Sequence, residues 1–243
     1  MSNSLQGVPS RVIVQLAGVT KHFGPMRALR GIDLQLERGK CLGVFGPNGA
    51  GKTTLLKILA TLTRPSAGTV WIAGYNVAQD AERVRPLLGV LSHRTFLYSH
   101  LTAVENLHFY GRMFGVERLS ERILEVLQAV GLETQSRQLV RTYSRGMQQR
   151  LAIARTILHQ PMLLLLDEPY TGLDHQAARR FQELLRQFCT EERTVIMSTH
   201  DWQRGLELCD EIVILRRGQI VYQNHTAAMP AHAFEQLYYD YVG

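Results

Sequence analysis

Residues 11–17, RVIVQLA, alternate apolar and polar side chains, the period of a strand with one buried face. GIDLQLERGK repeats the alternation. Ile32, Leu34 and Leu36 point one way, Asp33, Gln35 and Glu37 the other, and Glu37 to Lys40 reads as a turn. CLGVF (41–45) is apolar almost throughout, as in a strand covered on both faces of a parallel sheet. TTLLKILATL then has helical spacing at Leu55, Ile58, Leu59 and Leu62. PSAG reads as a turn, TVWIAG as a short strand, 80–88 as a polar helix and LGVLS as another buried strand.

From Leu101 to about Val140 the periodicity is helical, and the block over about 94–143 reads as an inserted helical subdomain. Buried strands return at MLLLLD and TVIMS, with the helix HQAARRFQELLRQFCTEE between them. EIVILRRGQIVYQN predicts a hairpin around Arg217-Gly218. In the last segment (226–243), AFEQLYYDYV sets Phe234, Leu237, Tyr238 and Tyr241 on one helical stripe, read as core packing. Buried strands alternating with helices argue an α/β domain with a mostly parallel sheet, about 11–93 and 144–225, and an antiparallel layer at its N-terminal edge.

Composition excludes little. The 45% hydrophobic content is that of a globular chain, and no apolar run approaches the ~20 residues a membrane helix needs. MSNSLQGVPS lacks the layout of a secretion signal, so a cytoplasmic location is expected. Cys41, Cys189 and Cys209 lie far apart in the chain without metal-ligand spacing and read as ordinary reduced thiols. The net charge of +6 is dispersed rather than gathered into a nucleic-acid face.

The chemistry lies in short motifs. GPNGAGKTT is a complete phosphate loop: Gly46, Pro47, Asn48, Gly49, Ala50, Gly51, Lys52, Thr53 and Thr54, after an apolar strand and before an apolar-periodic helix. Its glycines let backbone amides approach phosphate oxygens at the positive end of the helix dipole. Lys52 should reach the β and γ phosphates and the Thr53 hydroxyl should hold Mg²⁺. LLLLDEP delivers Asp167 to the sheet edge, toward the same metal, and Glu168 beside it as a general base for the attacking water. Read alone, these would be two acids at a strand end. VIMSTHD ends another strand with His200, a γ-phosphate contact or, alternatively, a structural histidine. YSRGMQQR is a second phosphate-facing helix start, around Ser144 and Gly146, far along the chain from Lys52. Either the insertion folds back over one nucleotide, or this start faces a nucleotide held by another copy.

In this order the motifs resemble the ATP-binding subunits of ABC transporters over nearly the whole chain. GPNGAGKTT looks like Walker A, LLLLDEP like Walker B, TGLD (171–174) like the D-loop, STHD like the H-loop, and YSRGM like the signature, usually Leu-Ser-Gly-Gly-Gln. The resemblance implies a P-loop NTPase (RecA-like) fold, with antiparallel β and helical subdomains in one domain over 1–243. It implies hydrolysis of ATP with Mg²⁺ and a head-to-tail dimer in which Ser144 and Gly146 reach the partner's γ phosphate. It further implies a separate membrane permease, a peripheral position on the cytoplasmic face of the cell membrane, and adenine stacking on Phe23 (a core residue on the rival reading). Tyr143, Arg145 and Met147 depart from the usual signature. His93 stands where members usually carry a glutamine, implying a catalytic and Mg²⁺-contacting role for it. His93 and EPYTGLD are similar to the haem exporter ATPase of cytochrome c maturation; drug or polysaccharide exporters share most of the rest. A nucleic-acid-associated ABC ATPase is the rival from another class, disfavoured by the single cassette and the lack of sustained heptads.

Overall fold

The computed structural model describes residues 11–92, 94–190, 192–226 and 231–242. Two sheets form the scaffold. β1 (Val12–Phe23) and β2 (Met26–Glu37) make a long antiparallel hairpin, which β4 (Ala67–Ile72) and β5 (Tyr75–Asn76) extend in the order β2-β1-β4-β5. As the alternation requires, Ile32, Leu34 and Leu36 are buried. Each contributes on the order of 1.5–3 kcal/mol of apolar burial.

The second sheet joins β3 (Cys41–Phe45), β6 (Leu88–Leu91), β7 (Leu163–Asp167), β8 (Thr194–Ser198), β9 (Glu211–Arg216) and β10 (Gln219–His225) in the order β10-β9-β3-β8-β7-β6. All neighbours run parallel except β10, which returns antiparallel on β9. β3, β7 and β8 are buried along their whole length, the signature of strands covered on both faces. The β9–β10 turn uses left-handed Arg217 (φ 49°) and Gly218 (φ 81°), as a tight hairpin requires.

Helices fill in around the sheets: α1 (Lys52–Leu59), α2 (Ala81–Val84), α3 (Ala103–Met113), α4 (Leu119–Ala129), α5 (Arg145–Ile157), α6 (His175–Phe188), α7 (Trp202–Leu208) and α8 (Ala231–Val242). α3 begins with a complete capping box between Thr102 and Glu105. α3 and α4 pack on α5 through Leu107, Ile123, Val126, Leu127 and Leu151, so the helical block shares the core under β7 and β8.

Four details differ from the sequence expectation. α1 stops earlier, because the chain turns left-handed at Thr61 (φ 58°) and the Leu62 amide returns to the Lys57 carbonyl at 2.9 Å. That turn throws Leu62 outward to 61% exposure. α6 ends at Phe188 rather than running through TEE, because Cys189 adopts an extended backbone. The apolar stripe of α8 is buried only at its start. Phe234 is fully covered, its ring centroid 5.0 Å from that of Phe45, whereas Tyr241 is exposed beside Tyr222. Finally, the three cysteines are not scattered in space. The Cys41 and Cys209 sulfurs lie 3.2 Å apart, and Cys189 packs on the same cluster.

Phe234 anchors α8 to the strand that leads into the phosphate loop. Phe234→Ala should therefore cost about 3 kcal/mol, read as a lower urea midpoint; a loss below about 1 kcal/mol would show that α8 is not part of the folded core.

Candidate functional site

β3 carries the chain into the glycine loop, and the loop's shape follows from what surrounds it. Gly46 has φ 142°, and a Cβ there would lie 2.2 Å from the Leu215 carbonyl oxygen. Gly51 has φ 111°, and a Cβ there would clash with Ala28 and Leu29. The loop is thus seated between both sheets. The Gly218 amide donates to the Ala50 carbonyl (2.9 Å) and the Arg30 amide to the Gly218 carbonyl (2.8 Å). Gly49 faces open space, since a Cβ there would meet nothing within 4 Å. Gly51 caps α1 without a side chain, leaving the first-turn amides free for an anion.

Lys52 lies buried in this cradle, its Nζ donating to the Gly46 carbonyl at 2.6 Å and the Pro47 carbonyl at 3.2 Å. Desolvation lowers its pKa, opposed by the charges of Glu168 and Asp167. Thr53 Oγ1 donates to Asp167 Oδ2 at 2.9 Å, and Ser198 Oγ donates to Asp167 Oδ1 at 2.5 Å. A buried carboxylate beside a hydroxyl is a hard-oxygen donor set that fits Mg²⁺. Ser198, the first residue of STHD, went unread in the sequence as a partner of Asp167; the contact follows from the β7–β8 register, which places the two residues opposite each other.

Glu168 follows with a left-handed backbone, φ 51°. For a residue with a Cβ this costs roughly 1–2 kcal/mol. The geometry is held by its amide, which donates to the Ser198 carbonyl at 3.0 Å. Glu168 Oε2 lies 2.7 Å from His200 Nδ1 and accepts from the His200 amide at 3.3 Å. The carboxylate is largely covered (15% exposed) and the imidazole open (79%), so a water-facing histidine holds a sheltered carboxylate. Lys52, Thr53, Asp167, Glu168 and His200 therefore converge at the carboxyl ends of β3, β7 and β8.

The other residues singled out in the sequence lie elsewhere. Ser144 caps α5, its Oγ accepting from the Met147 amide at 3.2 Å, and is exposed. A Cβ on Gly146 would meet the Gly172 carbonyl at 3.1 Å, so the start of α5 abuts the TGLD turn. Among the described residues, no hydrogen bond joins Ser144 or Gly146 to the 46–54 loop. Tyr143 is buried and donates its hydroxyl to the Gln135 carbonyl at 2.7 Å, so the tyrosine replaces a core leucine as packing. Phe23 is 46% exposed at the end of the β1–β2 hairpin, with Lys21 Nζ 4.9 Å from its ring centroid; it is not a core residue. His93 lies outside the described residues. Gln149, unremarked in the sequence, donates to the Pro169 carbonyl at 3.0 Å and ties α5 to the turn after Glu168.

The family model for ABC transporters matches residues 29–171, from the second strand through both acids. The chain belongs to the ABC transporter family. It is 35% identical to the ABC transporter ATP-binding protein NatA of Bacillus subtilis (strain 168), covering 88% of this chain and 85% of that protein. It is also 35% identical to the Nod factor export ATP-binding protein I of Ralstonia nicotianae, over 93% of this chain and 71% of that one. Among solved structures, a dimeric ATP-binding cassette in a post-hydrolysis state with ADP and Pi superposes with a TM-score of 0.82. The two are 28% identical, and the match covers 89% of this chain and all of that one. The fold is that of the ABC P-loop ATPases, and the chain is the ATP-binding, ATP-hydrolysing subunit of an ABC transporter.

With its cation desolvated and offered only carbonyls, the cradle should depend on Lys52 for nucleotide. Lys52→Ala is expected to weaken ATP binding by about 100-fold or more, measured with a fluorescent ATP analogue; affinity within threefold of the parent would remove Lys52 from the phosphate site.

Proposed function

We propose that the chain works as one half of a head-to-tail pair that closes on two ATP molecules and drives a separate membrane permease. One observation carries this reading. The chain has two helix starts read as phosphate-facing, and only one of them hydrogen-bonds to a catalytic acid, through Thr53 and Asp167, although Arg145 at the other lines a cavity with Asp167 and Glu168. α1 converges with Asp167, Glu168 and His200, while the exposed Ser144 start is unconnected to that cradle among the described residues. A second copy turned head to tail would bring its Ser144 and Gly146 to the γ phosphate held here.

In each pocket the backbone from Gly46 through Thr54 and the Lys52 ammonium would hold the phosphates, and Phe23 would stack on adenine. Thr53 and Asp167, joined by His93, would hold Mg²⁺, which when bound screens the phosphate charge. Glu168 would take the proton of the water that attacks the γ phosphorus. His200 would keep Glu168 aimed and reach the same phosphate. Closing then draws on tighter binding of ATP to the paired state than to the open one, as any ligand-driven switch must.

The helical block over about 94–143 would press on the permease, with the chain peripheral on the cytoplasmic face of the membrane. No described helix is long and apolar enough to cross a membrane. The relatives' names, which print Nod factor export and daunorubicin and linearmycin resistance, favour an exporter of a cargo other than haem. The haem-export reading rests on His93 with FLYSHLTAVENLHFYGRMFG and on EPYTGLD. The genes beside this one discriminate: cytochrome-assembly factors next to a small membrane protein would favour haem.

Glu168→Gln should bind MgATP, hydrolyse it very slowly and elute as a dimer in gel filtration; a monomer at saturating MgATP would refute the paired site. His93→Gln should shift the pH profile of ATP hydrolysis, because an imidazole titrates near neutrality and an amide does not. An unchanged rate and profile would remove any special role for His93.

A further inference from the structure

Arg155 lies in α5, and among the described residues no carboxylate pairs with it. Burial lowers its pKa, and the neighbouring Tyr110 hydroxyl opposes that shift. Its Nε is buried and has no hydrogen-bond partner among the described residues. A cation withdrawn from water without a counter-charge costs stability that an apolar side chain of similar volume would not. What the charge holds in place is seen in its neighbours.

The guanidinium spans both ends of one loop. Before the loop, Arg155 Nη2 donates to the Val90 carbonyl of β6 at 2.8 Å, which the Thr156 hydroxyl also meets at 3.2 Å. After it, the Phe96 and Tyr110 ring centroids lie 5.7 and 5.2 Å from the guanidinium carbon. The Tyr110 hydroxyl in turn donates to the Phe96 carbonyl. Among the described residues, 94–97 make no other hydrogen bond to the rest of the chain. Phe96 has φ 54°, a strained conformation for a residue with a Cβ, which persists only where its surroundings fix it. Two residues on, buried Asn106 of α3 donates to the Tyr98 carbonyl at 3.0 Å and accepts from the Tyr98 amide at 2.8 Å.

Ser92, Arg94, Thr95 and Phe96 wall a cavity of about 450 Å³ that Asp167 and Glu168 line from another side. Neither Arg155 nor Tyr110 lines it, and both reach it through Phe96.

We infer that Arg155, together with Tyr110, is a positioning residue for ATP hydrolysis, fixing the Phe96 wall of the cavity against Asp167 and Glu168. The inference rests on the reading above that the two acids act in hydrolysis, and adds to it a pair of groups outside the site. The planar guanidinium matters as well as the charge, because it donates at its edge to Val90 while its carbon stands over two rings. An ammonium is too compact to do both. The phosphates belong to a different part of the chain, the 46–54 loop, so a displaced wall slows the chemical step and leaves nucleotide affinity in place.

Steady-state ATP hydrolysis by the full chain, with binding of a fluorescent ATP analogue, tests this. Arg155→Met keeps an apolar stem without the fork. It should lower kcat about tenfold, with nucleotide affinity within about twofold of the parent. Arg155→Lys should recover part of the rate. Tyr110→Phe removes only a hydroxyl and should lower kcat about threefold at the parent's thermal midpoint. Since both act through Phe96, the double variant Arg155→Met with Tyr110→Phe should be little slower than Arg155→Met alone. Should Arg155→Met fail to fold, Tyr110→Phe and Arg155→Lys decide. A parent-like kcat in those two overturns the proposal, as do losses that multiply in the double variant or a fall in affinity that matches the fall in rate. Each of these leaves the role of the acids intact. If Glu168→Gln hydrolyses ATP at the parent rate, the assignment of the acids itself fails and takes this proposal with it.

Discussion

The ammonium of Lys52 is withdrawn from water and meets only the carbonyls of Gly46 and Pro47. Carbonyl dipoles recover part of the lost hydration, and Asp167 and Glu168 help from a distance, yet desolvation still depresses the lysine's pKa. A cation held in this way, over a loop of free amides, favours an anion strongly. The surrounding structure serves to keep that arrangement in place. Gly46 and Gly51 adopt conformations closed to other residues because β9 and β2 press on them from two sides.

The cluster at the carboxyl ends of β3, β7 and β8 is assembled by parallel strand order rather than by local sequence. β7 and β8 are neighbours in register, with Asp167 opposite Ser198, so the serine hydroxyl reaches one carboxylate oxygen while Thr53 of α1 reaches the other. Both oxygens of Asp167 are fixed before any ligand arrives, which is preorganisation in the ordinary electrostatic sense. The next residue departs from the strand with positive φ, and that strained step turns Glu168 back toward His200.

Behind the site, the elements that carry its loops converge on one thiol cluster. Cys41 begins the strand that ends at the phosphate loop, Cys189 follows the last residue of the helix capped by Asp174, and Cys209 follows the last residue of the helix capped by Asp201. The contact with Cys41 and burial push the Cys189 thiol up, while against an opposing hydrogen bond with Cys189 the Cys209 contact and burial still push Cys41 up, so both behave as small apolar packing groups. Arg155 shows the same economy on the other side of α5. Its guanidinium is buried against the Phe96 and Tyr110 rings, 5.7 and 5.2 Å from their centroids, and donates to the Val90 carbonyl at 2.8 Å. That arginine ties the strand before His93 to the helical block.

The sequence by itself determined the parts whose physics is local. Alternation marked β1 and β2, uninterrupted apolar runs marked β3, β7 and β8, and glycine spacing marked the phosphate loop, because side-chain period and φ freedom are written residue by residue. The acids and His200 were legible for the same reason, each ending a buried run. Only the tertiary structure decided which distant groups meet. Ser198 on Asp167, Gln149 on the Pro169 carbonyl, and three cysteines in one cluster depend on strand order and helix packing, which no short window encodes. The exposure of Leu62, Phe23 and Tyr241 likewise follows from where a helix or hairpin happens to end, and periodicity does not fix element ends.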